Sequence, residues 1–83
     1  MIVKFIRESN RFRKIFQKLK RDIQERVEKQ IKKLISNPEI GKPMKYNRKG
    51  TREVYIGHFR LSYAYSIEEN KITLLDLYHK DKQ

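Results

Sequence analysis

The residues best suited to chemistry are basic and aromatic, and most of them lie in the second half of the chain. Arg60 is the only charged residue between Phe59 and Ile67. A guanidinium group can hold a phosphate and stabilise charge that develops on it. Tyrosine rings offer faces on which unpaired bases stack. The predicted site comprises Arg60, Tyr55, Tyr78, His79 and Lys80, flanked by Lys45, Arg48, Lys49 and Arg52.

Other catalytic chemistries are poorly represented in the sequence. The two histidines, His58 and His79, lack the helical spacing of metal ligands, and the carboxylates are scattered. There is no glycine-rich phosphate loop and no Ser-His-Asp pattern, so we expect neither a metal nor a cofactor. RNA carries its own nucleophile, the 2′-OH. A ribonuclease that positions the backbone and moves protons therefore needs no metal.

The predicted site depends on Thr51–Ile67, which has the pattern of two strands joined by a tight turn. Both halves are rich in β-branched and aromatic residues, and Gly57-His58 between them suits a two-residue turn because glycine accepts a positive φ. A turn of this length gives three register pairs: Ile56 with Phe59, Val54 with Leu61, and Arg52 with Tyr63. Alternation then predicts a core face and a polar face. The core face carries Val54, Ile56, Phe59, Leu61, Tyr63, Tyr65 and Ile67, and the polar face carries Glu53, Tyr55, Arg60, Ser62, Ala64 and Ser66.

The rest of the chain predicts one strand before two amphipathic helices and one strand after the hairpin. Ser9 or Asn10 can cap the first helix, and Asp22 with Glu25 forms a capping-box pattern for the second. Pro38 ends the second helix because proline cannot continue one. The predicted elements are strand Ile2–Ile6, helix Asn10–Lys20, helix Asp22–Ser36, loop Glu39–Gly50, the hairpin and strand Ile72–His79.

Two registers against the hairpin are possible for the last strand. Placing Ile72 opposite Ile67 would bury Asp76 without a partner, at a cost of several kcal/mol. A shift of one residue instead points Thr73, Leu75 and Leu77 inward, and it sends Asp76, Tyr78 and Lys80 to the face of Arg60. We therefore predict the second arrangement.

The order β-α-α-β-β-β predicts a two-layer α+β fold. It comprises an N-terminal strand, a helical hairpin and a three-stranded antiparallel meander, in one domain spanning residues 1–83. The helices cover one face of an antiparallel sheet and leave the other open, and the first strand joins the sheet to bury Val3 and Phe5. The residues predicted to be buried are Phe12, Phe16, Val27, Ile31, Val54, Leu61, Tyr63 and Leu75.

Composition narrows the class of partner. The 83 residues carry a net charge of +11, with 21 basic and 10 acidic side chains. Such an excess attracts polyanions, so we expect nucleic acid or an acidic protein as a partner. The absence of cysteine is consistent with a reducing cytosol, and no apolar run is long enough to span a bilayer. These features predict a soluble, cytoplasmic protein without a membrane partner.

Three segments of the sequence resemble the RelE branch of the RelE/ParE toxin superfamily. They are the run Gly57–Tyr63 (GHFRLSY), the ending Leu74–Lys80 (LLDLYHK) and the segment Asn37–Pro43 after the helices. The resemblance implies a RelE-like fold and a small toxin of a type II toxin–antitoxin pair that cuts mRNA in the ribosomal A site. It also implies an acidic antitoxin that wraps the toxin in a hetero-oligomer.

The resemblance also implies roles for individual residues. Arg60 occupies the position of the arginine that binds the scissile phosphate, and Lys80 that of a basic residue that assists it. Tyr55 or His79 would stack on or deprotonate the nucleotide, and the flanking cations with Tyr78 would bind RNA. Glu53 and Tyr55 stand where the family usually has Lys or Arg, which leaves the general base open. The alternatives are a ParE-like poison of DNA gyrase and a non-catalytic basic RNA- or ribosome-binding module.

Overall fold

The computed structural model describes residues 3–82, which form two helices and a mixed sheet of five strands. The elements are β1 (Phe5–Glu8), α1 (Asn10–Gln17), α2 (Arg21–Ser36), β2 (Lys42–Pro43), β3 (Arg52–Ile56), β4 (Phe59–Ser66) and β5 (Lys71–His79). Short 3₁₀ turns follow β2 at Tyr46–Arg48 and β5 at Lys80–Lys82. The strand order is β1-β5-β4-β3-β2. The predicted α+β fold is confirmed.

The sheet is not wholly antiparallel, and this part of the prediction is wrong. β1 runs parallel to β5, with Phe5 opposite Lys71 and Glu8 opposite Leu74. The Ser9 backbone donates to the Leu74 carbonyl at 2.9 Å, which holds the end of β1 beside β5 where α1 begins. β1 also starts later than predicted, and Met1 and Ile2 lie outside the described residues.

The central hairpin has the predicted register. Ile56 pairs with Phe59, Val54 with Leu61 and Arg52 with Tyr63. Gly57 has a φ of +58°, a conformation that glycine adopts without the steric penalty that a Cβ atom brings. The two-residue turn therefore fixes which face Arg60 occupies.

The helix boundaries partly follow the predicted signals. The Ser9 hydroxyl accepts a hydrogen bond from the Phe12 backbone at 3.0 Å, so Ser9 is the N-cap of α1. α1 ends at Gln17, three residues before the predicted end. The capping box of α2 is wrong, since Lys20 is the N-cap and no side chain caps it. Asp22 lies in the first turn instead, where its charge favours the positive end of the helix dipole.

The core lies between the helices and one face of the sheet. Its buried apolar residues are Val3, Phe12, Val27, Leu34, Val54, Ile56, Leu61, Tyr63, Ile72, Leu74 and Leu77. Three of the residues predicted to be buried are only partly buried, namely Phe16, Ile31 and Leu75. Phe16 and Ile31 border an open groove beside β1. Phe5 and Ile67, also predicted inward, are exposed, the first on the edge strand and the second beyond the end of β4.

A β-bulge in β5 explains the error at Leu75. Leu74 pairs with Tyr63 and Asp76 pairs with Ser62, so the residue between them has no partner in β4. The inward positions are therefore Ile72 and Leu74 before the bulge and Leu77 after it, rather than Thr73, Leu75 and Leu77. Both registers that the sequence suggested kept a strict alternation, which the bulge interrupts.

The predicted loop Glu39–Gly50 contains more structure than expected. Lys42–Pro43 adds a short edge strand to β3, and the chain before it is fixed by Tyr63. The Tyr63 hydroxyl donates to the Pro38 carbonyl at 2.8 Å and accepts from the Gly41 backbone at 2.9 Å. Burial raises the pKa of Tyr63, so the phenol stays protonated and able to donate.

Within residues 3–82, neither helix is long and apolar enough to cross a membrane.

Candidate nucleic-acid interface

Arg60 lies at the centre of the sheet face that the helices do not cover. It pairs with Tyr55 across β3 and with Tyr78 across β5, so all three side chains belong to this face. The guanidinium carbon lies 3.8 Å from the centroid of the Tyr55 ring, a cation–π contact. Among the described residues, no carboxylate lies within ion-pairing distance of Arg60. The guanidinium is thus held in place by an aromatic ring and keeps most of its donors for an anion.

A second cluster, formed by Glu53, Arg48 and Tyr78, lies beside Arg60. The Tyr78 hydroxyl donates to Glu53 Oε2, and Arg48 Nη1 donates to the same oxygen at 3.0 Å. Glu53 lies on β3 and Tyr78 on β5, so their contact spans β4. The small side chain of Ser62, the register partner of Glu53, leaves space for it. Glu53 is only 6% exposed, although sequence alternation had placed it on an open polar face.

The cluster changes the acid–base properties of its members. Burial raises the pKa of Tyr78, and the hydrogen bond to Glu53 raises it further. The contact with Tyr78 is also the largest of the effects that raise the pKa of Arg48. Both pKa shifts favour the protonated forms of the two side chains. In this state, Tyr78 is a hydrogen-bond donor rather than a base.

The other predicted cations are not all on the face of Arg60. Lys45 and Lys49 are exposed on the segment that carries Arg48. Arg52 pairs with Tyr63 and therefore belongs to the helix side of the sheet. Its guanidinium donates to the carbonyls of Glu39 at 3.1 Å and Gly41 at 2.8 Å. Arg52 thus braces the chain that leads into β2.

His79 and Lys80 lie at the end of β5. His79 pairs with Phe59, whose ring it meets edge-on at 5.4 Å, so it faces the helix side and not the side of Arg60. Its ring also stacks on His58 at 5.8 Å, and its Nδ1 accepts from the Asp81 backbone at 3.3 Å. Lys80 is exposed, and its backbone donates to the His58 carbonyl at 2.8 Å.

The structure therefore brings Arg60, Tyr55, Tyr78 and Arg48 together and separates His79 and Arg52 from them. Glu53 is the residue that sequence reasoning missed. Its position on the same strand face as Tyr55 was visible, but its burial depends on Arg48 and Tyr78, which are distant in sequence. Across the described part of the chain, no three His, Cys, Asp or Glu residues are grouped in a way that could hold a metal ion.

Comparison with known proteins identifies the family. The model of the ParE toxin of type II toxin–antitoxin systems (parDE) matches residues 6–83, nearly the whole chain. The chain belongs to this family. It is a toxin of a type II toxin–antitoxin module in the RelE/ParE superfamily. No curated protein matches it in sequence.

Solved structures show the same fold in RelE-type proteins. A chain of the toxin–antitoxin complex RelBE2 from Mycobacterium tuberculosis is 26% identical, with a TM-score of 0.85 over 95% of this chain and 93% of that chain. A chain of the intact Escherichia coli RelBE toxin–antitoxin complex is 17% identical, with a TM-score of 0.79 over 90% and 94%. A chain of the archaeal RelE–RelB complex from Pyrococcus horikoshii is 17% identical, with a TM-score of 0.79 over 99% and 100%. The fold of this ParE-family toxin is therefore RelE-like.

Proposed function

We propose that this toxin is a metal-independent endoribonuclease that cleaves mRNA on the ribosome and so inhibits translation. The observation that carries the proposal is the state of Arg60. Its guanidinium rests on the Tyr55 ring at 3.8 Å, on a sheet face that the helices leave open, and it has no carboxylate partner among residues 3–82. A cation fixed in this way can receive a phosphate without first losing an ion pair.

The reaction that suits these groups is attack by the 2′-OH on the adjacent phosphorus. The new 2′-O–P bond forms as the P–O5′ bond breaks, which gives a 2′,3′-cyclic phosphate and a 5′-hydroxyl end. The 2′-OH loses its proton to a base, and the leaving oxygen gains one from an acid. No oxidant, metal or cofactor is needed for this balance.

The candidate residues take distinct parts in this reaction. Arg60 neutralises the charge that grows on the phosphate, and Lys80 assists it or protonates the leaving oxygen. Tyr55 has one ring face against Arg60, so a nucleobase would stack on the other face. Tyr55 or His79 would accept the proton of the 2′-OH. Because His79 faces the helix side of the sheet, we favour Tyr55 for contact with the nucleotide next to Arg60.

Binding of the ribosome would use the surrounding cations. We assign this role to Lys45, Arg48, Lys49, Arg52 and Tyr78, with an affinity that falls as salt is raised. Lys45 and Lys49 are exposed and form no ion pair among the described residues, so they should contribute most. Arg48 must leave Glu53 and Arg52 must leave two carbonyls before either can bind a phosphate fully.

We also propose that an acidic antitoxin binds the toxin. A groove of about 860 Å³ lies between β1 and the two helices, and its apolar lining includes Ile6, Phe12, Phe16, Ile31 and Leu74. The solved RelE-type structures include complexes with antitoxins. Acidic residues would speed the encounter with a chain of charge +11, and apolar anchors in the groove would hold the complex. A toxin that acts on ribosomes would work in the cytoplasm.

The decisive experiment maps new mRNA ends on translating ribosomes with the wild type and with Arg60→Ala. Loss of one contact to the developing charge should slow cleavage by about 10²-fold or more without a change in melting temperature. Arg21→Ala is the matched control, since it removes the same charge from a side chain that is 91% exposed on α2. Equal cleavage by wild type and Arg60→Ala would remove Arg60 from the chemistry.

The family match supports a second candidate, a ParE-like poison of DNA gyrase. The same proteins should be tested in a DNA supercoiling assay. Inhibition of gyrase by the wild type, together with no new mRNA ends, would replace the ribonuclease proposal. Ribosome binding with neither activity would favour a plain RNA-binding module.

A further inference from the structure

Tyr46 combines two features that fold stability does not account for. The residue is 90% exposed, the highest value among the large apolar residues within residues 3–82. Its backbone has a φ of +59°, in the left-handed region that bulky side chains rarely adopt. Because the ring is exposed, its burial contributes almost nothing to offset the free-energy cost of this backbone conformation. Such a residue in an otherwise regular loop indicates a function outside the fold itself.

The loop that carries Tyr46 is held firmly. The Arg48 backbone donates to the Lys45 carbonyl at 3.2 Å, and the Lys49 backbone donates to the Tyr46 carbonyl at 3.0 Å. The Thr51 hydroxyl donates to the Arg48 carbonyl at 2.7 Å, which closes the 3₁₀ turn onto β3. The exposed ring is therefore presented from a fixed backbone and loses little conformational freedom when it binds.

The same loop is tied to the face of Arg60. Arg48, two residues after Tyr46, makes the contacts with Glu53 and Tyr78 described above. Tyr78 is the register partner of Arg60. Tyr46 thus begins a turn whose other end is anchored beside the proposed phosphate site.

We propose that Tyr46 is a stacking residue for an unpaired RNA base that lies next to phosphates bound by Lys45 and Lys49. The inference rests on the proposed function for the identity of the ligand and adds a binding contact to it. Lys45 and Lys49 are exposed at the two ends of the turn that begins with Tyr46, and they would contact the phosphates on either side of the stacked base. The polarity of this turn favours nucleic acid over an apolar protein surface, because the sequence neighbours Lys45 and Asn47 are themselves polar and exposed.

A spectroscopic test is available because the chain contains no tryptophan. The Tyr46→Trp variant places a single indole at this position, and stacking on a base quenches its fluorescence. We expect quenching by a short single-stranded RNA, but not by an abasic oligomer of the same length and charge. Equal quenching by the abasic oligomer would overturn the inference, since charge alone would then explain the response. A response only to the antitoxin would also overturn it and identify a protein contact.

Affinity measurements separate stacking from backbone strain. Tyr46→Phe keeps the ring and should bind single-stranded RNA like the wild type. Tyr46→Asn removes the ring but tolerates the left-handed backbone, so a folding defect is not expected. Its affinity should fall by about 5- to 140-fold, the range that stacking of one base provides. Unchanged affinity in Tyr46→Asn would refute the inference.

The inference and the proposed function can fail separately. Arg60→Ala, introduced into the Tyr46→Trp variant, should slow cleavage by about 10²-fold or more and leave the base-dependent quenching in place. If the Tyr46→Trp variant, with no other change, shows quenching but no cleavage, this would support the stacking contact and contradict the ribonuclease proposal. Cleavage that depends on Arg60, without quenching, would support the ribonuclease and contradict the stacking contact.

Discussion

Replacing Gly41 by alanine should destabilise the toxin strongly, because a Cβ atom there would enter the space of Tyr63. An ideal Cβ lies 2.5 Å from the Tyr63 hydroxyl oxygen and 2.7 Å from Cε1. The ring is completely buried, so the strain cannot be relieved by a movement into solvent. Forcing extra volume into such a site costs about 1–3 kcal/mol. Breaking the buried bond between the Gly41 backbone and the hydroxyl costs about 1–3 kcal/mol more.

The expected loss for Gly41→Ala is therefore about 2–6 kcal/mol in the free energy of unfolding. At about 4–8 °C per kcal/mol for a domain of this size, the Tm should fall by at least about 8 °C. Thermal unfolding followed by circular dichroism measures this directly. A Tm within about 2 °C of the wild type would show that the loop yields freely and that the reasoning from close packing is wrong.

Tyr63→Phe provides the matched partner for a double-mutant cycle. Alone, it removes the oxygen that binds Pro38 and Gly41, which should cost about 1–3 kcal/mol. In Gly41→Ala with Tyr63→Phe, the methyl group gains the space that the oxygen leaves. The double variant should thus lose less stability than the sum of the two single variants. Strict additivity would mean that the hydroxyl and the added methyl group do not compete.

Two further predictions concern side chains in contact with β5 or belonging to it. Ser9→Ala removes a hydroxyl that caps α1 and donates to the Leu75 carbonyl at 2.7 Å. The free energy of unfolding, measured in urea, should therefore fall by about 1–2 kcal/mol in Ser9→Ala, whereas Ser9→Thr should retain most of it. Equal loss in both variants would exclude the hydroxyl as the cause. The raised pKa of Tyr78 means that the folded protein holds this proton more tightly than the unfolded chain, whose value is 10.0. The resulting stability is complete below pH 10 and is lost as pH rises through the folded pKa. Urea unfolding between pH 8 and 11 should therefore show a shallower loss in Tyr78→Phe than in the wild type, and identical slopes would contradict this.

The hairpin could be predicted from sequence because its determinants are local. A two-residue turn at Gly57-His58 fixes every pair in β3 and β4, and alternation then assigns the two faces. The position of Arg60 between two tyrosines follows from the same reasoning once the last strand is aligned. The fold class also followed, since the order of the helices and strands leaves few ways to cover one sheet face.

The bulge at Leu75 and the burial of Glu53 could not be predicted in this way. The bulge lies where Ser9 donates hydrogen bonds to the carbonyls of Leu74 and Leu75, which are more than sixty residues away in the chain. Glu53 is covered by Arg48 from the loop and by Tyr78 from β5. In both cases, strict alternation predicted the environment of the side chain, and residues distant in sequence lie where the structure departs from it. Parallel pairing of β1 was missed for the same reason.

The basic residues behind the net charge of +11 differ in whether a neighbouring carboxylate neutralises them. Arg48 and Arg52 both lie near the proposed site in sequence, and both form ion pairs, with Glu53 and Glu39 respectively. A phosphate that approaches either arginine must compete with a carboxylate. Glu53 is also so buried that water could not easily take the place of Arg48 as its partner. Arg60 faces no such competitor, since an uncharged ring positions it. Sequence counts treat these three arginines alike, whereas in the structure Arg60 is the one whose charge is available for the proposed reaction.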